Sequence, residues 1–151
     1  MSTEQTRSLI ERFYSALTNG DREDIRACLS SDVIWRLPQT AGETGTGGAD
    51  QDGCVRGREA VAAELGGRTI KETFDTSKPF ALEIRSMIVD GDLAAVQQRL
   101  TATTKAKGEA YDNQYCWVYS CPGGEISHIE EYADTLYAAR TMGWKLEGEE
   151  Q

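Results

Sequence analysis

The feature that most constrains this chain lies in its second half, where four strand-forming runs follow one another with only short turns between them. The runs are Phe80 to Val89, Leu93 to Thr104, Tyr111 to Ser120 and Ile126 to Ala133. The connectors are Asp90-Gly91-Asp92, Lys107-Gly108-Glu109 and Pro122-Gly123-Gly124, which carry the glycines that tight hairpins need for positive φ. Successive hairpins imply an antiparallel meander. A meander must cover one face with something apolar, and the first half of the chain supplies it as helices.

Ser2 followed by Gln5 forms a capping-box signature, and Leu9, Ile10, Phe13, Tyr14 and Leu17 recur at helical spacing until Asn19-Gly20. Asp21 caps a short second helix with Ile25, Cys28 and Leu29 on its apolar side. Val33 to Leu37 reads as a strand closed by Pro38. Arg58 to Leu65 reads as a third helix with Val61 and Leu65 on one face, ended by Gly66-Gly67. Asp134 caps a last helix that runs to Met142 and stops at Gly143. Between the first strand and the third helix, Gln39 to Val55 is a Gly- and Thr-rich loop, either an idle insertion or a lid over the mouth of a pocket. The sequence thus predicts an α+β fold in the order ααβαββββα, one domain over residues 1–146, and an acidic, disordered tail over residues 147–151.

The formal charge of −9 and pI near 4.6, with no cluster of Lys and Arg, argue against nucleic acid and membrane surfaces as partners. Glu4, Arg7, Glu11 and Arg12 interrupt the first residues, so no signal-peptide core is present and a cytoplasmic location is expected. Cys28, Cys54, Cys116 and Cys121 form no metal-binding spacing, and His128 is the single histidine, so neither a metal site nor a cofactor is expected. Carboxylates, tyrosines and amides must carry any chemistry.

Three motifs give this order a family likeness. They are Glu11-Arg12-Phe13-Tyr14-Ser15-Ala16-Leu17 with Asn19-Gly20-Asp21, then Gly57-Arg58-Glu59-Ala60-Val61, then Gly124-Glu125-Ile126 leading to Glu130-Glu131-Tyr132-Ala133-Asp134. Together they resemble the nuclear transport factor 2-like superfamily, which includes SnoaL-like cyclases, ketosteroid isomerases, scytalone dehydratases and limonene epoxide hydrolases. The resemblance implies a cone-shaped, cystatin-like roll: a strongly curved antiparallel sheet packed on three helices around a hollow for a small molecule. It also implies a homodimer formed through the outer sheet face, where Gln97, Arg99, His128 and Glu130 are expected.

Alternation fixes which strand residues face the hollow. In the strand from Leu93, Ala94, Val96, Leu100 and Ala102 are the apolar set, so Gln98 turns inward with them and Arg99 outward. A β-bulge in this strand would reverse that assignment and bring Arg99 and Thr101 inside. By likeness to the epoxide hydrolases, Asn113, Tyr115 and Trp117 face inward, as do Ile129, Glu131 and Ala133, and Glu131 matches the carboxylate that activates water in that family. The isomerase tyrosine and aspartates correspond here to Phe13, Leu37 and about Tyr115, and the hydrolase Arg–Asp pair falls on the strand holding Gln98 and Leu100. The expected catalytic set is therefore Glu131 as base with Tyr115 and Asn113 as polarising partners. The substrate-binding set is Gln98, Trp35, Trp117, Tyr14, Leu37, Leu100 and Ile129. The implied function is cofactor-independent acid–base chemistry, as in an isomerase, cyclase, dehydratase or epoxide hydrolase, on a small, largely apolar substrate. The alternatives are a non-catalytic ligand-binding module and a dimeric scaffold with a filled pocket.

Overall fold

The computed structural model describes residues 1–38 and 48–145. Helix α1 spans Thr3–Asn19 and opens with the expected capping box, in which Ser2 Oγ accepts from the Gln5 amide at 3.1 Å and Gln5 Oε1 from the Ser2 amide at 3.0 Å. Helix α2 spans Arg22–Cys28, strand β1 Leu29–Arg36 and strand β2 Cys54–Arg56. Helix α3 spans Arg58–Ala63 and runs on through a π-helical turn, Glu64–Arg68, into the short α4, Thr69–Thr73. Strands β3 (Ala81–Asp90), β4 (Leu93–Thr103), β5 (Ala110–Ser120) and β6 (Ile126–Ala133) follow, and α5 (Thr135–Met142) closes the chain. Among the described residues no helix is long and apolar enough to cross a membrane.

The strands form one curved, unclosed sheet in the order β2-β1-β6-β5-β4-β3. The meander from β3 to β6 is antiparallel throughout, as expected. Two features correct the expected order. Strand β2, within and just beyond the stretch read as a loop, pairs antiparallel with β1; three residues are too few to show alternation in sequence. Strand β1 pairs parallel with β6, so the sheet is mixed. That pairing joins the two ends of the sequence order and has no local signature. The expected lid segment lies outside the described residues over 39–47, as does the tail over 147–151.

Gly66-Gly67 does not end the third helix. Gly67 adopts φ 139°, a conformation that side chains resist, and kinks the helix instead of stopping it. At Gly66 a Cβ would approach Arg22 Cβ to 3.2 Å, so its missing side chain lets the kink press on the start of α2. No bulge interrupts the β4–β5 pairing to reverse the parity assigned to β4; the register shifts instead in β3 between Ile84 and Ser86 and in β1 between Leu29 and Ile34. Gln98 is accordingly buried, and Arg99 lies outside with its guanidinium on Asp112 at 2.7 Å.

The main core lies between the helices and the concave face of the sheet and includes Ile10, Phe13, Ile25, Val33, Val61, Val96, Tyr119 and Ile129. A smaller cluster around Phe74, Tyr111 and Ala138 lies beneath α5. Thr3 and Thr6 pin α1 to the β3–β4 turn, Thr3 Oγ1 accepting from the Gly91 amide at 3.0 Å and Thr6 Oγ1 donating to the Gly91 carbonyl at 2.6 Å.

Candidate active site

A cavity of about 420 Å³ opens between the two clusters and is walled by members of both. Cross-strand register sets its floor. Gln98 stands opposite Tyr115, Trp117 opposite Glu131, and Trp35 lies opposite Ile129 on the neighbouring strand. Inward-facing residues two apart on each strand thus converge on Glu131.

Glu131 lines this cavity and retains part of its surface there, with protein around the rest of the side chain. Its Oε1 accepts from the Trp35 indole N–H at 3.1 Å, and no described residue donates to Oε2. Loss of hydration pushes the carboxyl up to about 8, and the indole hydrogen bond offsets only part of that. At neutral pH most of the Glu131 population is therefore the uncharged acid. Trp35 and Trp117 hold their rings 5.8 Å apart beside it, tilted by 35°.

Two tyrosine pairs flank the carboxyl. Tyr14 and Tyr119 share a hydroxyl hydrogen bond at 2.6 Å, and Gln98 Nε2 donates to the Tyr14 oxygen at 2.9 Å. Tyr111 and Tyr115 share another, and Asn113 Nδ2 donates to the Tyr111 oxygen at 2.9 Å and to the Asp134 carbonyl at 3.1 Å. Burial raises all four phenols, those of Tyr115 and Tyr119 well above 10, so each remains a hydroxyl.

The structure separates the sequence-expected residues into two groups. Glu131, Tyr115, Gln98, Trp35, Trp117, Leu37 and Leu100 border the cavity. Tyr14, Asn113 and Ile129 do not: Tyr14 and Ile129 belong to the main core, and Asn113 is buried behind the wall between Tyr111 and the start of α5. None of Tyr115, Asn113 and Gln98 hydrogen-bonds Glu131; each is engaged with another partner, and Trp35 takes that place. His128 points away, toward Glu130 at 3.1 Å.

Sequence reasoning missed a second carboxylate. Glu64, 4% exposed, borders the same cavity from the helix side, with Oε1 accepting from Arg68 at 3.1 Å and Oε2 from the Thr69 hydroxyl at 2.8 Å. Its signal was its place three residues after Val61 and one before Leu65, on the apolar face that α3 continues into the π-helical turn. Tyr111 was also missed, although strand parity sets it beside Asn113 and Tyr115. Among the described residues no group of three or more His, Cys, Asp and Glu side chains could hold a metal ion. Burial holds Cys28 at about 11 and Cys121 at about 12, so neither thiol is a ready nucleophile.

Comparison with known proteins fits this architecture. The chain belongs to the SnoaL-like domain family, whose model matches residues 10–129. That match stops two residues before Glu131, so membership itself assigns the carboxyl no role. A search of curated proteins found no significant match. Among solved structures, an NTF2-like protein from Burkholderia xenovorans is 22% identical with a TM-score of 0.72, covering 94% of this chain and 98% of its own. A protein from Jannaschia assigned as a SnoaL-like polyketide cyclase is 16% identical with a TM-score of 0.74, covering 95% of each chain. An LEH-like epoxide hydrolase from M. tuberculosis is 18% identical with a TM-score of 0.66, covering 93% and 90%. At these identities the likeness establishes the fold. The family and its neighbours include proteins described as a cyclase, an isomerase and an epoxide hydrolase, and a shared fold does not carry any one of these activities to this chain.

Proposed function

We propose that this protein is a small-molecule enzyme of the SnoaL-like kind in which Glu131 transfers a proton, with no cofactor required. One observation carries the reading: the carboxyl stands at an apolar cavity with one oxygen held by Trp35 and no described donor on the other, and burial lifts it to about 8. A carboxyl so placed donates its proton to a substrate oxygen in its resting form and takes one back in its ionised form. Tyr115 and Gln98 serve as the polarising groups at the wall. If Asn113 donates to Tyr111 and Tyr111 to Tyr115, the Tyr115 hydrogen is left for a substrate oxygen. Asn113 and Tyr14 then act as positioning residues behind that wall. The apolar surface suits a flat, largely hydrocarbon substrate undergoing isomerisation, cyclisation, dehydration or epoxide opening.

The test is a panel of cyclic enones, β-hydroxy ketones and epoxides, with α-hydrogen exchange in heavy water and product formation followed by NMR. The wild-type protein should accelerate at least one of these reactions, and Glu131→Gln should lose roughly a hundredfold or more of that rate. Turnover that survives the substitution would remove Glu131 from the chemistry. Tight binding with no turnover across the panel would favour the carrier reading.

The same proposal includes a homodimer through the outer sheet face, where Ile88 is 69% and Tyr132 56% exposed. Sedimentation equilibrium should give twice the chain mass, and a monomer at micromolar concentration would count against it.

A further inference from the structure

The cavity wall has a one-sided charge census. Its ionisable side chains are Glu64, Glu131, Tyr111 and Tyr115, and no Lys, Arg or His borders it. The two undescribed segments contain no basic residue either, so they add no cation to that wall. Arg68 reaches Glu64, but its side chain is 61% exposed and extends outward from the helix. A second, more polar hollow adjoins the cavity at Leu37, Glu131 and Ala133, and its one cation, Arg36, faces Glu130 at 3.6 Å and the Asp52 carbonyl at 3.4 Å. An anionic ligand would thus lose its hydration beside two carboxyls with no positive group in the wall to replace the water.

A cation meets the opposite conditions. Glu131 offers an Oε2 that no described residue donates to, and the Trp35 and Trp117 rings stand beside it, an arrangement in which the negative faces of aromatic rings and a carboxylate attract the same charge. We propose that the cavity selects ligands bearing a protonated amine on an apolar ring system, with the ammonium paired to Glu131. This names the ligand class for the site described above and rests on the reading that the cavity is the ligand site; in the paired complex Glu131 is ionised, so of its two roles only that of base remains there.

Binding then has a proton balance. The ammonium enters with its proton, the neutral Glu131 carboxyl gives its own to solvent, and an ammonium–carboxylate pair remains. The groups facing Glu131 are the phenols of Tyr14 and Tyr111, Tyr115 and Tyr119, and the Trp35 indole; the phenols are held well above neutrality and the indole does not titrate, so none of these supplies a competing proton. Glu64 stands across the cavity with Arg68 as its fixed partner.

The experiment is isothermal titration calorimetry with naphthylethylamine, naphthylethanol and naphthylacetate, repeated at pH 7 in buffers of different ionisation enthalpy. The amine should bind roughly tenfold or more tightly than the alcohol, the acetate weakest of the three, and the amine alone should release close to one proton. In Glu131→Gln the preference of amine over alcohol should collapse and the proton release vanish. Equal binding of amine and alcohol, acetate binding as tight as the amine, or a preference that survives Glu131→Gln would overturn the amine assignment while leaving the cavity as a ligand site. If none of the three probes binds, the cavity reading itself fails.

Discussion

At Glu131 two effects oppose each other and burial wins. The Trp35 hydrogen bond favours the carboxylate, yet loss of hydration favours the acid by more, and the group settles near 8. Trp35→Phe removes the one described donor, so the Glu131 transition should move further upward; carboxyl carbon NMR would read this, and a downward move would show that Trp35 acts mainly by excluding water. The kinetic sign follows from the same state. A step that uses Glu131 as acid should lose rate as pH rises through about 8, and a step that uses it as base should gain rate there. A rate profile flat from pH 6 to 9 in a reaction limited by chemistry would disconnect Glu131 from it. The exposed ion pairs, among them Arg12–Asp24 and Arg99–Asp112, hold those aspartates below the ordinary range, but they stand in water and contribute little.

Strands β4, β5 and β6 bring the cavity floor together, and their contribution was legible because alternation is a local property. Parity alone assigns Gln98 to the inner face, and likeness to the epoxide hydrolases sets the parity of Tyr115, Trp117 and Glu131; the unbroken β4–β5 and β5–β6 registers place all four on one face. Parity gives a face, not a partner. It could not show that Gln98 turns to Tyr14, that Asn113 sits behind Tyr111, or that Trp35 reaches Glu131 across the parallel β1–β6 pairing. Glu64 escaped because its partners Arg68 and Thr69 lie beyond a Gly-Gly pair that reads as a stop, whereas here the pair makes a kink and the helix continues past it. Two substitutions probe these elements. Asn113→Ala removes the tie from β5 to the Asp134 carbonyl and to the Tyr111 hydroxyl, and should cost about 1–3 kcal/mol in urea unfolding. Gly67→Ala forces a side chain into the φ 139° conformation and should cost about 1–3 kcal/mol by the same measurement. An unchanged midpoint in either variant would remove the role given to that residue.

Across the fold as a whole, one buried acid leaves a signature in stability against pH. Glu131 holds its proton in the native state up to about 8, while the unfolded chain releases it near the ordinary glutamate value of about 4.3. Between those values the native state binds more protons, so this group's contribution falls as pH rises, by about 1.4 kcal/mol for each unit, and levels off beyond 8. Glu131→Gln removes that burden. Its stability relative to wild type should be nearly unchanged at pH 4.5, should rise progressively to pH 8, and should then hold constant; thermal unfolding of the two proteins across that range would show it. A stability gain that does not vary with pH would mean the carboxyl titrates alike in both states.

The most direct measurement is a carboxyl carbon NMR titration of protein labelled at glutamate, with Glu131→Gln used to assign the resonance. The account predicts a single Glu131 transition near 8, set apart from the remaining glutamates, and an amine ligand should move that transition down. A Glu131 transition between 4 and 5 would contradict it, because the group would then be an ordinary solvated carboxylate without the neutral form on which both the proton transfer and the proton release depend.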